Sequence, residues 1–530
     1  MAKSRMGLIL LVMACLFALS LAGCSKTIEL KPEEASAKDT PASFSDIDEY
    51  IQQQMQAEDI PGLAVVVVHE DEVVYLKGFG VTSLRTPSPV TPQTVFDLAS
   101  SSKSFTALAV LLLRDEGLID LEAPVQQYLP DFQLSDPQAS AQITVRQLLH
   151  QTSGLPGIFS EPLVLFQGSD AMGKMIAALG RVRLNRPPGS SFEYADMNYC
   201  LLGALIEKVA GIPFEDYMQQ RIFTPLGMTH TTMYPGEAAE FDRADGHQPM
   251  FGRIVTRNIP IYRSAAPAGW VMSCAEDMGQ WLLVNLNEGR TAKGQVIPAD
   301  DIKEMHTPGV LFEENGEEVG YGMGWFVGHS ADDVLLIWHG GDTPNFMSDM
   351  ILVPEYKLGV VVLVNSQAST IGHSIGPGVA NLILGLELEP TAVPWWAYWK
   401  AVDSIATGVV VFALLLSLVL VLYLWRVWRQ FRTKKRHFFS SPLAGRMSPA
   451  WQMVLYMAPL VLLVMFAVAG FVVVQTLYGY NFYEVLILFR IAAPPGVYLS
   501  GVMLLIVSSL WAVLLAFLAL FTLGNKSETL

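Results

Sequence analysis

Three apolar runs in the last quarter of the chain, at roughly 404–425, 451–475 and 497–523, constrain its fold more than any other feature. As helices, each is long enough to cross a hydrocarbon layer of about 30 Å. The composition is 51% hydrophobic and only 16% charged, where soluble chains carry about 25% charged residues. The excess apolar material therefore belongs in lipid. Between the first two runs lie Arg426, Arg429, Arg432, Lys434, Lys435, Arg436 and Arg446, with no acidic residue. Arg490 is the single basic residue between the second and third. The positive-inside bias places 426–450 in the cytoplasm. Trp395, Trp396, Trp399, Trp425 and Trp428 bracket the first run as an aromatic belt would.

The N-terminus supplies a second, independent signal. Lys3 and Arg5 precede a small or apolar stretch from Gly7 to Gly23, the layout of an export signal. It ends in Leu21-Ala22-Gly23-Cys24, which resembles a bacterial lipobox and makes Cys24 a candidate for lipidation. The expected order is a signal over 1–24, a polar spacer over 25–43, a globular body over 44–390 and a linker over 391–403. Spans at 404–425, 451–475 and 497–523 follow, separated by a cytoplasmic loop (426–450) and an extracytoplasmic loop (476–496), with a cytoplasmic tail at 524–530. This predicts a multi-pass protein of a bacterial cell membrane, its body facing outward and lipid among its contacts. Three spans exceed what anchoring needs, so a protein partner bound through them is a further expectation.

The formal net charge is −16 although the loop at 426–450 is wholly basic. That balance excludes a nucleic-acid partner, which needs a basic footprint. Of four cysteines, Cys15 lies in the signal. Cys200 and Cys274 either pair or act as small buried hydrophobes, and no cysteine–histidine spacing offers a metal site.

Within the body, 46–57 reads as a helix. Leu63–Val68 and Val73–Phe79 read as strands around the turn 69–72. Helical patterns fill much of 104–285. Strand-like runs return at 334–338, 346–353 and 359–364, and a helix closes the body near 369–385. Strands at both ends with helices between them predict an α+β fold: an antiparallel sheet flanked by helices, with an inserted helical subdomain.

The chemistry begins at Ser100-Ser101-Ser102-Lys103, followed by a helical pattern with Phe105, Leu108, Ala109, Leu112 and Leu113 on one face. Residues i and i+3 share a helix face, so Ser100 and Lys103 would meet at its start. A serine hydroxyl needs a base to become a nucleophile, and a partly buried lysine can lose its proton to serve as one. Further on come Tyr194-Ala195-Asp196-Met197-Asn198 before a helix, and Trp338-His339-Gly340-Gly341-Asp342-Thr343 among the strands. In this order the three stretches resemble the motifs of the serine β-lactamase and D,D-peptidase superfamily, and most nearly its class C β-lactamase-related hydrolases. Val145–Leu155, Pro267–Trp270 and Tyr321–Trp325 match the same group.

The resemblance implies the fold of that superfamily over 44–385. It also implies that Ser100 attacks a carbonyl to form an acyl-enzyme, that Lys103 takes its proton and that Tyr194 carries a second proton. The backbone N–H groups of Ser100 and Asp342 would hold the oxyanion, each contributing roughly 3–4 kcal/mol. Gly340 and Gly341 would let the strand approach the substrate. Lys103 within reach would favour a phenolate at Tyr194. The implied substrate is a D-amino-acid peptide or a small ester, and cleavage calls for no metal or organic cofactor. The alternative is a sensor or scaffold that binds or acylates with little turnover.

Two residues depart from the pattern. Asp196 stands where the group carries asparagine; a carboxylate close to Lys103 would favour the ammonium and make it a poorer base. Asn198, two residues on, is a candidate substitute. His339 stands where classical members carry lysine, and a mostly neutral imidazole would hold a substrate carboxylate less firmly.

Overall fold

The structure is a computed structural model, and it describes residues 43–157, 165–314, 316–330, 333–367, 372–385, 399–433, 436–438, 495–519 and 521–523. The expectations for Cys24, the signal, nearly all of the spacer and the span 451–475 lie outside those residues.

Helix α1 (Phe44–Glu58) leads into β1 (Gly62–His69) and β2 (Glu72–Gly80). A short strand β3 (Phe96–Asp97) precedes α2 (Ser102–Asp115) and, further along, α3 (Asp196–Ala210). A hairpin of β4 (His247–Met250) and β5 (Arg253–Thr256) follows, then β6 (Met272–Ser273) and α4 (Ala275–Leu286). The chain returns to strand as β7 (Val310–Glu314), β8 (Glu317–Tyr321), β9 (Phe326–His329), β10 (Leu335–Thr343), β11 (Phe346–Val353) and β12 (Leu358–Val364). It continues as α5 (Gly372–Leu384), α6 (Trp399–Arg432) and α7 (Pro495–Ala519). Eight strands form one antiparallel sheet in the order β2-β1-β12-β11-β10-β9-β8-β7.

The unbroken valines of β1 and β12 reflect cover on both faces of the sheet. Ala64, Val66, Val68, Val361 and Leu363 face the larger core, which includes α2 and α4. Leu63, Val65, Val67, Val360 and Val362 face a second core closed by α1 and α5. Fully burying each such side chain contributes about 1.5–3 kcal/mol, so the two cores clamp the sheet between helical layers.

The sequence signals for β1, β2, β11, β12 and α5 match the observed elements. The hairpin β4–β5 interrupts a region expected to be mostly helical. Cys200 and Cys274 are buried free thiols, not a pair.

Helices α6 and α7 hold segments long and apolar enough to cross a membrane, Val402–Gln430 and Pro495–Leu514. Helix α6 outruns the apolar run 404–425 at both ends. Beyond its C-terminal end Arg429 and Arg432 stack on Trp425 and Trp428 one turn earlier, at 5.7 and 5.2 Å, so the basic segment keeps a helical partner. The two helices pack parallel. Gly496 lies against Asp403, the Trp511 indole donates to the Leu416 carbonyl (3.1 Å), and Phe438 pairs with Phe521.

Three histidines are held neutral inside the body. Burial pushes His150 and His247 below the ordinary imidazole value and His306 down to about 4. The unfolded chain binds these protons near pH 6.5, so the fold loses stability as pH drops below that value, for His306 down to about pH 4. The melting temperature should fall between pH 7 and pH 4.5, and less steeply in His306→Gln. An unchanged slope in that variant would contradict a neutral His306.

Candidate active site

The site is built where β3, the start of α2 and β10 converge. Strand β3 pairs with β6, and the Leu98 N–H donates to the Val271 carbonyl at 2.8 Å. The chain then reverses sharply: Ala99 sits at φ +47°, a left-handed conformation that is costly for a residue with a side chain. The surroundings hold this elbow. Asp97 is buried and gripped by Arg243 at 2.6 and 2.7 Å. Ser101 donates to the His339 carbonyl (3.1 Å), Ser348 to the Leu98 carbonyl (2.5 Å), and Ser102 accepts from the Val271 N–H (3.0 Å). The serines beside Ser100 are thus anchors, a role the bare motif does not announce.

Lys103 is fully buried, and its Nζ donates to three acceptors: Ser100 Oγ at 2.9 Å, Asp196 Oδ1 at 2.6 Å and the Ala268 carbonyl at 2.9 Å. Ala268 was legible only as part of a matching stretch. Its carbonyl completes the shell of an ammonium that has no water to turn to.

Tyr194 is half-buried, and its hydroxyl interacts with Ser100. Burial, followed by the charge of Asp196, pushes its hydroxyl well above the ordinary phenol value. The bond to Ser100 opposes this, and the charge of Asp342 adds to the rise. The expectation of a phenolate is therefore overturned. Lys103 Nζ lies over the Tyr194 ring, 4.8 Å from its centroid, and its charge is matched by Asp196, so Tyr194 is a neutral O–H donor.

Asp196 opens α3 and faces Lys103. Asn198 turns away from the site: it is buried, donates to Gln151 Oε1 (2.5 Å) and accepts from Ser153 (2.6 Å). Gln151 Oε1 also accepts from the Ala195 N–H (3.0 Å), which braces the peptide beside Tyr194. Gln151 lies in a stretch singled out only for its resemblance.

His339 lies on β10 beside the Tyr194 ring. It is 1% exposed, its Nδ1 bonds the Gly340 carbonyl (2.6 Å), and its ring packs among Tyr194, Tyr321 and Phe326. Gly341 packs against Leu98 and Ser100. A β-carbon there would collide with the Leu98 carbonyl and come within 2.6 Å of Ser348 Oγ and 2.8 Å of the Ser100 nitrogen. Closeness at Gly341 brings the amide of Ser100 against the strand that carries Asp342, the arrangement two oxyanion donors require. Gly340 lies between His339 and Gly341 on β10.

One cluster among the described residues could hold a metal: His230, Cys274 and Asp277, with ligand atoms within 4.8 Å of one another. Asp277 Oδ2 already accepts from the His230 N–H and the Thr231 hydroxyl, each at 2.7 Å, and burial pushes the Cys274 thiol up. A structural role accounts for all three.

A family model described as Beta-lactamase matches residues 47–379. Among curated relatives, Protein flp of Staphylococcus aureus (strain N315) is 29% identical over 326 residues, 62% of this chain. The match spans 64% of that protein's own length. Penicillin-binding protein 4 of Amycolatopsis lactamdurans is 29% identical over 320 residues, 59% of this chain and 82% of that one. The octameric penicillin-binding protein homologue from Pyrococcus abyssi superposes with a TM-score of 0.56 at 26% identity, covering 68% of this chain and 81% of that one.

Gly341→Ala should slow covalent labelling of Ser100 by a fluorophosphonate by about two orders of magnitude, as loss of one oxyanion donor does. Labelling at the unmodified rate in a folded variant would show that this close approach is dispensable.

Proposed function

This chain belongs to the β-lactamase family, whose members are generally serine hydrolases, and we propose that it cleaves an amide or ester through an acyl-enzyme on Ser100 at the outer face of a bacterial membrane. The single observation that carries this reading is the convergence on Ser100 of the Lys103 amine, at 2.9 Å, and the Tyr194 hydroxyl. Lys103, once neutral, removes the Ser100 proton as the hydroxyl attacks. The N–H groups of Ser100 and Asp342 receive the oxyanion. Tyr194, a phenol at rest, gives its proton to the leaving group and takes back the one that Lys103 removed from Ser100, so both groups regain their starting forms. Water then attacks the acyl-enzyme by the reverse path.

The charges around the site bear on the substrate. Asp196 and Asp342 both act on Tyr194, while His339 is buried and the Lys103 ammonium is fully engaged. Such a site disfavours a substrate carboxylate and favours a neutral ester or a peptide bearing an ammonium group. A small ester or the N-terminal end of a D-amino-acid peptide fits better than a β-lactam. A sensor that acylates with little turnover is the second reading, favoured by the Lys103–Asp196 contact at 2.6 Å, which engages the amine that would act as base. The outward orientation of the body rests on the export-like N-terminus and the basic segment after α6.

Ser100→Ala in the purified full chain should abolish both fluorophosphonate labelling and hydrolysis of p-nitrophenyl esters and D-alanyl peptides. Labelling that survives would assign the nucleophile elsewhere; wild-type labelling without turnover would select the sensor.

The raised Tyr194 hydroxyl keeps the phenol form below its own ionisation, so no decline from Tyr194 is expected up to pH 10. Asp196→Asn removes the carboxylate that Lys103 Nζ meets at 2.6 Å and should speed turnover at pH 7. A loss at every pH would mean that Asp196 itself accepts the proton.

A further inference from the structure

The hairpin β4–β5 turns through Phe251 and Gly252, both left-handed at φ +52° and +75°. That is the backbone of a two-residue turn that normally carries Asn-Gly or Asp-Gly. A bulky aromatic residue at positive φ is a genuine outlier, so something outside the hairpin must hold it. Asp403, in the second turn of α6, does so. Its Oδ1 accepts the Phe251 N–H at 2.9 Å and its Oδ2 accepts the Gly252 N–H at 2.7 Å. The carboxylate is 1% exposed.

Helix α7 closes the contact from the other side. A β-carbon at Gly496 would come within 2.5 Å of Asp403 Oδ1 and 3.2 Å of the Phe251 ring. Both apolar helices therefore meet the hairpin at one point, with glycine required where they do.

The hairpin's opposite end reaches the candidate active site. The His247 N–H donates to the Asn345 carbonyl (3.2 Å), Asn345 Nδ2 donates to the Arg257 carbonyl (3.0 Å), and Gln248 Nε2 donates to the Pro344 carbonyl. Arg257 in turn donates to Gln248 Oε1 at 2.5 Å. Pro344 and Asn345 form the turn between β10 and β11, immediately after Asp342 and Thr343.

We infer that Asp403 is a positioning residue: by holding the Phe251–Gly252 turn it makes the apolar helix pair a support for the strand that presents Asp342. The inference rests on the proposed hydrolase reading for its kinetic consequence and is independent of it for the structural one. The carboxylate supplies what the sequence of the turn lacks, two acceptors for two outward N–H groups at a strained corner. Removing it frees the corner, and the loosened hairpin no longer fixes the Pro344–Asn345 turn. Substrate binding suffers first, because that turn directly follows Asp342 and Thr343 while Ser100, Lys103 and Tyr194 are held by other contacts.

The test uses the full chain in detergent micelles. In Asp403→Ala, amide hydrogen exchange should accelerate at least tenfold in peptides covering 245–258 and 340–347. KM for an ester substrate should rise about fivefold while kcat stays within twofold. Adding Phe251→Asn, which gives the turn a residue suited to positive φ, should restore both readings toward wild type. Unchanged exchange in Asp403→Ala would overturn the clasp. Faster exchange at 245–258 alone, with 340–347 and KM unaffected, would reduce Asp403 to a local anchor and overturn its positioning role. Failure of Phe251→Asn to rescue would mean that the effect bypasses the turn, and would equally overturn it. If the wild-type chain shows no Ser100-dependent turnover, the hydrolase reading fails, and exchange at 340–347 still decides the clasp.

Discussion

The rest of the site depends on one buried cation. A lysine ammonium removed from water is expensive unless every donor is matched, and Lys103 meets that condition with three acceptors from three distant parts of the chain. Ser100 Oγ comes from the turn after β3, Asp196 from the start of α3 and the Ala268 carbonyl from the segment before β6. The Asp196 side chain is 36% exposed while that of Lys103 is fully buried, so the carboxylate reaches in from the surface to meet it. The same three bonds that hold Lys103 therefore hold the elbow, the inserted helical region and the central segment in register. The catalytic geometry and the junction of the subdomains are one arrangement, and neither can drift without exposing an unmatched charge.

That coupling explains how Ala99 tolerates a left-handed backbone. Strain of this kind costs on the order of 1–3 kcal/mol and persists only where surrounding contacts over-determine it. Here the Asp97–Arg243 pair, the hydroxyls of Ser101, Ser102 and Ser348, and the side-chain-free face of Gly341 all converge on residues 97–102. The gain is a nucleophile whose amide lies against the strand carrying Asp342.

Much of the fold was legible because its strongest signals are local. The valine runs of β1 and β12 read as buried strands, and α5 read as a helix, since each carries its own periodicity or composition. The Ser100–Lys103 spacing likewise encodes a meeting on one helix face. What was not legible depends on partners remote in sequence. The motif singles out His339 without revealing its burial, which follows from Tyr194, Tyr321 and Phe326 packing around it. Asn198 looked like a stand-in for a missing amide, but Gln151 and Ser153 claim it from the other side of α3. Gly341 was singled out for close approach, but nothing in the motif reveals that Leu98 and Ser100 are among its neighbours. The phenolate expected at Tyr194 failed for a related reason: spacing predicted that Lys103 would be near, but not that it would face the ring with its charge already matched.

The hairpin β4–β5 was missed on grounds that themselves carry information. Met250-Phe251-Gly252-Arg253 lacks the asparagine or aspartate that marks a tight turn, so no local rule predicts a reversal there. The missing acceptor arrives from Asp403, about 150 residues later in the chain. A segment whose own preference disagrees with its conformation is stable only as part of a larger assembly, and such disagreements concentrate where a protein needs one part to sense another. The same separation that hides the turn from a reading of the sequence makes it depend on the apolar helices. A body joined to these helices only through a flexible linker would have no use for a strained corner resting on a buried carboxylate. The strain therefore argues that the helix pair is part of the framework of the active-site strand, not simply its tether.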